Sequence, residues 1–211
     1  MVNKPEEIIL GRYSSELEAY NSALKELIRK NFMVNNDKKI AVESRAAFEI
    51  CWANITPVVI LGEKGLIPKI SYDFYGDHKN KKAIEECEYY YETIFSSGKL
   101  DKAINLIKTD SSTKKAIVYL IEKPKPKNNL IPPCMTCLFF RVINGRLNMH
   151  CHMRANNAYL VFLINLHINH AIHLEAARKL GIKVGNYFHF IDSFHVYKSE
   201  LKKAESYLRT I

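Results

Sequence analysis

One stretch, TCLFFRVI-NG-RLNMHCHM over residues 136–153, constrains the fold more than any other. Two runs rich in β-branched, aromatic and apolar residues flank an Asn144-Gly145 pair, which suits a two-residue turn with positive φ at both central positions. The pattern predicts a β-hairpin. In its second strand Leu147, Met149, Cys151 and Met153 point one way; Asn148, His150, His152 and Arg154 point the other. A long helix is expected next, over about 157–180 and stopped by Gly181.

The remaining elements are read from the same two periodicities. Ser15 and Glu18 have capping-box spacing, and Leu17, Tyr20, Leu24, Leu27 and Ile28 follow at helical period, so a helix should end near Asn31. Segment 41–62 is apolar, with a helix expected over roughly 44–55. PKISYDFYG reads as a strand or extended loop, and 80–97 and 100–109 as amphipathic helices split by Ser96, Ser97 and Gly98. KKAIVYLI reads as a strand, 122–133 as a polar, proline-rich connector, NYFHFID as a strand and 198–209 as a closing helix. No internal repeat or long linker interrupts this order, so a single domain over residues 1–211 is expected.

Composition narrows the setting. At 47% hydrophobic and 25% charged, the chain has the values of a folded globular protein rather than a disordered one. The start MVNKPEEIILGRYSSE lacks the features of a signal peptide, and Asn165, His167, Asn169 and His170 interrupt the most apolar run at a cost no bilayer repays. A soluble cytoplasmic protein, away from membranes, is the expectation. Five cysteines, an odd number, argue against a disulfide framework. The net charge of +9 suits an anionic partner, but the basic residues are dispersed and the densest run, KPKPK, reads as a loop, which disfavours nucleic acid.

Cys134 directly follows two prolines at the mouth of the hairpin, and four readings are open. A redox pair with Cys137 would need a helix N-terminus, whereas this pair runs into a strand. A zinc site would need a second ligand pair; His150-Cys151-His152 is the nearby candidate, and alternation sends its cysteine to the opposite face from both histidines. A buried structural thiol and a nucleophile remain. His167, His170 and His173 share one helix at spacing three, and with no carboxylate beside them in sequence, partial burial is expected rather than metal binding.

The residues around Cys134 resemble the thymidylate synthase family, including its pyrimidine nucleotide hydroxymethylases. Pro133-Cys134 resembles the family's nucleophile pair, and RANN from Arg154 its Arg-Ser-x-Asp stretch. Asn165 matches a base-reading asparagine, His195-Val196-Tyr197 a His-x-Tyr, and Lys114-Lys115 a pair of arginines. Upstream, FEICW resembles a Glu-Leu-Leu-Trp, pointing to Glu49 and Trp52, and FYG resembles a Tyr-Gly, pointing to Tyr75. The resemblance implies an α+β fold, a thymidylate synthase-like mixed β-sheet flanked by helices, assembled as a homodimer by sheet-to-sheet contact. It also implies a pyrimidine nucleotide monophosphate as substrate and 5,10-methylenetetrahydrofolate or a related methylene-pterin as cofactor.

On that resemblance each residue has a chemical task. Cys134 adds to C6 of the base and makes C5 nucleophilic. Arg154 holds phosphate and favours the thiolate. Glu49 relays protons near O4, and Tyr75 helps the water that takes the C5 proton. Asn165 suits uracil by donating to O4 and accepting from N3–H. His195 and Tyr197 hold the sugar hydroxyl, and Lys114 and Lys115 reach the partner's phosphate. Methyl transfer from dUMP to dTMP is the leading expectation, and 5-hydroxymethylation of a CMP- or UMP-type nucleotide the alternative; a non-catalytic nucleotide- or RNA-binding relative is a third.

This chain departs from the family pattern at several of these positions. Asn157 stands where the family has an aspartate that contacts the pterin, Ala155 replaces a phosphate-binding serine, and Met135 replaces a histidine. Lysines at 114 and 115 give charge without a bidentate fork. The family's N-terminal phosphate-loop arginine has no clear counterpart, and Arg12 and Arg45 are the candidates to replace it. The sequence stops soon after Tyr197, as in the family's short archaeal-type members, whereas longer members continue with a segment that closes over the cofactor.

Overall fold

The structure, a computed structural model, describes residues 8–31, 33–36, 39–51, 59–62, 65–68, 85, 87–120 and 133–211. The elements are β1 (Ile9–Tyr13), α1 (Glu16–Lys30), β2 (Met33–Asn36), β3 (Lys39–Cys51), β4 (Val59–Gly62) and β5 (Gly65–Pro68). A π-helical segment (Tyr91–Ser96) then leads into α2 (Lys99–Thr109) and β6 (Ile117–Tyr119). The last part comprises β7 (Met135–Ile143), β8 (Arg146–Asn157), α3 (Phe162–Leu180), β9 (Lys183–Tyr197) and α4 (Lys198–Leu208). Strands β1-β3-β9-β8-β7-β6 form one mixed sheet in that order, with β2 added against β3, and β4-β5 pair separately. The fold is α+β, with a mixed sheet flanked by helices. Among the described residues no helix is long and apolar enough to cross a membrane.

The hairpin forms as its turn requires: Asn144 and Gly145 adopt φ of 52° and 71°, and β7 pairs antiparallel with β8. Register divides the sheet into two faces. Ile50, Tyr187, Met149 and Phe140 form one row across four strands, and Phe48, His189, Cys151 and Leu138 form the next. Every one of these residues is buried. Phe162 on α3 presses into this face between Phe48 and Phe194, with ring centroids 5.5 and 4.9 Å away. The outward rows read Arg12, Glu49, Phe188, His150, Phe139 and Leu10, Ala47, Phe190, His152, Cys137.

Three expectations change. Residues 44–51 are strand, not helix: Val42, Ser44, Ala46, Phe48 and Ile50 face inward while Arg45 and Glu49 face outward, a period of two. The small residues of AVESRAAF mask that alternation, because alanine fits either element. The predicted end of that helix, 52–55, lies outside the described residues, as does PKISYDFYG beyond Pro68. Helix α1 begins as expected, with Ser15 Oγ accepting from Glu18 N at 3.1 Å, but Glu18 returns its bonds to Ser14. Its inward stripe holds Glu16, while Leu17 is exposed. Finally, His167, His170 and His173 are buried, and a carboxylate does stand beside two of them. Glu16 Oε1 lies 2.7 Å from His170 Nδ1 and 3.3 Å from His167 Nδ1. Burial opposes a charged Glu16, yet hydrogen bonds and charge from these histidines outweigh it and hold the carboxyl near pKa 2.

Candidate active site

Cys134 sits half-buried at the entry to β7, beside the buried core. Arg154 lies opposite on β8 and grips this entry twice. Its backbone N–H donates to the Cys134 carbonyl at 2.9 Å, and its side-chain Nε donates to the Pro133 carbonyl at 3.2 Å. The thiol and the guanidinium thus share one strand entry. All five cysteines are free, and Cys151 is buried on the face opposite His150 and His152. Burial pushes the Cys151 thiol well above its ordinary pKa, which makes it inert packing.

The end of β8 brings a second group together. Asn157 and His195 are register partners on β8 and β9, and Ala158 N donates to the His195 carbonyl at 2.8 Å. The His195 and Tyr197 rings lie 4.9 Å apart, and His195 Nδ1 is 3.2 Å from Ser193 Oγ. Asn157 Oδ1 accepts from the backbone N–H groups of Tyr159 and Leu160 at 3.1 and 2.8 Å. That arrangement ends the strand and delays α3 to Phe162, later than its apolar run suggests. Asn157 Nδ2 donates to Glu200 Oε2 at 2.8 Å, and the same oxygen accepts from Tyr197 N at 3.2 Å. Glu200 is a carboxylate the sequence reading missed; its place at the third position of a helix that starts after Tyr197 was the available signal.

Asn165 lies one turn into α3, 1% exposed. Neither its Oδ1 nor its Nδ2 has a hydrogen-bond partner among the described residues. A buried amide left so costs about 1–3 kcal/mol per unmet group and marks a place where a ligand or water belongs.

Other candidates stand apart. Lys114 and Lys115 are exposed in the approach to β6. Glu49 faces outward on β3, 3.4 Å from Arg12 Nε, and accepts a hydrogen bond from Asn186 Nδ2. Its row crosses β7 at Phe139, five residues from Cys134 and so roughly 16 Å along the strand. The β3 carboxylate in register with His195 is Glu43. Arg45 is exposed on the same strand. Tyr75 and Trp52 lie outside the described residues. His150 stacks on Phe188 with centroids 4.6 Å apart, and burial followed by the charge of Arg141 lowers its pKa. Among the described residues no cluster of three or more His, Cys, Asp or Glu side chains could hold a metal ion.

A family model described as thymidylate synthase matches residues 73–210, more than half of the chain. Two curated proteins named thymidylate synthase, from Listeria monocytogenes serotype 4a (strain HCC23) and serotype 4b (strain CLIP80459), are each 25% identical to it over 105 residues. Those matches cover 50% of this chain and 33% of each relative. The chain therefore matches about a third of the length of these curated relatives.

Proposed function

Because the chain belongs to the thymidylate synthase family, we propose that it transfers a one-carbon unit to C5 of a uracil nucleotide, in the sense of dUMP to dTMP. Attachment is through a thioether between Cys134 and C6. The observation that carries this reading is the shared strand entry, where Arg154 is tied to both Pro133 and Cys134. A cation held beside a thiol favours its attacking form. The Cys134 thiolate adds to C6, and the ring's electron pair moves to C5 and O4, giving the carbon nucleophile that free uracil lacks. The unpartnered carboxamide of Asn165 donates to O4 and accepts from N3–H. Loss of the C5 proton and reversal of the sulfur addition return the thiolate. Glu49 is the acid that the resemblance offers at O4 and Tyr75 the group that holds the proton-accepting water; Glu49→Gln compared with Glu43→Gln separates the two carboxylates of β3.

A methylene-pterin supplies the one-carbon unit when bound and, in methyl transfer, the hydride. The residues present suit its N–H-rich edge: Glu200 Oε1 makes no hydrogen bond to a described residue, while Oε2 is oriented by Asn157. Arg154 binds the phosphate, with Lys114 and Lys115 contributed across a homodimer interface. The outer face of the sheet suits that contact. It exposes Leu10 and Phe190 above a shallow groove of about 410 Å³ along β1, β3 and β9.

The test is mass spectrometry of the protein with 5-fluoro-dUMP and methylenetetrahydrofolate. A covalent adduct of protein, nucleotide and pterin on the Cys134 peptide, absent from Cys134→Ala, is expected. No adduct on the native protein removes the reading. The internal commitment of Asn157, an amide in the family's carboxylate position, favours 5-hydroxymethylation as a second reading, with water completing the reaction. Competition among dUMP, UMP, dCMP and CMP decides: a cytosine nucleotide preferred about tenfold or more, near 1.4 kcal/mol, moves that reading to first place.

A further inference from the structure

Thr136, two residues after Cys134, is an extra residue in β7. Register with β8 slips between the pairs Met135–Met153 and Cys137–His152, the mark of a β-bulge, which bends a strand and re-aims its side chains. A bulge removes a ladder bond, and side chains replace it here. Thr136 Oγ1 donates to the His152 carbonyl at 2.9 Å and lies 3.1 Å from His152 Nδ1. On the far side of the ring, His152 Nε2 lies 2.9 Å from Asp192 Oδ2 on β9. Three strands are thereby tied together next to the Cys134–Arg154 pair.

Counting protons gives this tie a charge. The single hydroxyl hydrogen of Thr136 goes to the carbonyl, so Nδ1 must donate to Oγ1. Nε2 faces a carboxylate, which only accepts. All three contacts hold together when His152 is an imidazolium. In the neutral ring with hydrogen on Nε2, Thr136 turns its hydroxyl to Nδ1 and its bond to the carbonyl is lost. We infer that His152, clamped between Thr136 and Asp192, is a positioning residue for Cys134 whose protonation locks the bulge that aims the thiol. The assignment rests on the reading of Cys134 as the attacking thiolate. The charged and titratable groups around His152 are Asp192 and, through the sheet, His189 on β9; His150 and Arg154 on β8; and Cys134 and Cys137 on β7. Asp192 is the one that makes the ion pair.

The experiment follows alkylation of Cys134 by iodoacetamide, read on its tryptic peptide, from about pH 5.5 to 9. The native rate should show the thiol's own ionisation and a second one from His152. His152→Gln should remove the second, and Asp192→Asn should alter it, because the clamp then lacks the carboxylate that faces Nε2. Thr136→Val should slow alkylation near neutral pH by about fivefold or more, with Thr136→Ser restoring the native profile. A single ionisation, identical in native protein, His152→Gln and Asp192→Asn, overturns the inference. The Asp192 side chain is exposed, so its replacement leaves the core intact and decides the matter if the other variants fail to fold. Alkylation needs no nucleotide. A two-step profile without a 5-fluoro-dUMP adduct would therefore sink the one-carbon reading and leave the clamp standing.

Discussion

The two faces of the central sheet use the same residue types for opposite ends. On the inner face, His189 is fully buried, and desolvation with the charge of His152 holds its pKa near 3. On the outer face, His152 is half-exposed between a hydroxyl and a carboxylate. Cys151 is packing, whereas Cys134 stands half-buried at a strand entry whose Pro133 carbonyl accepts from the Arg154 side chain. A single alternation of the pleat separates a neutral, inert side chain from one that solvent and neighbouring charge can reach. The surroundings of a histidine or cysteine in this molecule are set by parity along β7, β8 and β9 as much as by residue identity.

Substitutions can break that division. The largest effect belongs to Cys134→Ala, which should lower 5-position tritium release on the order of a thousandfold or more while nucleotide binding and melting temperature stay near native. Comparable loss from Cys137→Ala would erase the distinction between the two cysteines. On the inner face Phe162→Ala removes the ring between Phe48 and Phe194 and should cost about 3–5 kcal/mol in urea unfolding.

Glu16→Gln comes next, because it leaves His167 and His170 without their buried anion; about 3 kcal/mol is expected. Glu16 is depressed from 4.5 to about 2 on folding. Its contribution is therefore present above the unfolded value and lost as pH falls from about 4.5 toward 2. Unfolding curves of native protein and Glu16→Gln should converge over that range; curves that stay parallel would remove the ion from the account. Arg154→Gln on the outer face should weaken nucleotide but not nucleoside, by about 1.5–3 kcal/mol in calorimetry. Equal weakening of both would place the phosphate elsewhere.

The sequence is most legible where one period dominates. Asn144-Gly145 and the strict alternation of β8 specify the hairpin, and the spacing from Cys134 to Arg154 is legible because both residues bracket it. Reading failed where two periods coincide. Helix and strand both accommodate AVESRAAF, and only tertiary pairing with β1 and β9 selects the strand. Glu49 then emerges beside Arg12 rather than on a helix. Glu16 and Glu200 were missed for a related reason. Each carboxylate finds its partners on a distant element, His167 and His170 on α3 or Asn157 on β8, and the helix-start position of Glu200 is the one local signal for either.

The strand order also sets a schedule for the chain. β9 lies between β3 and β8, so β3 waits for a neighbour encoded almost 150 residues later. At ribosomal speeds of about 5–20 residues per second, that wait lasts on the order of ten to thirty seconds. Throughout it, Ala46, Phe48 and Ile50 on β3 lack the strand that will flank them, and an unpaired apolar edge is a template for wrong partners. The β8-α3-β9 crossover, in contrast, is local and can collapse as soon as it is made. Newborn chains should therefore be most prone to aggregate before the last strand emerges, and a chaperone that shields β3 would act in that interval.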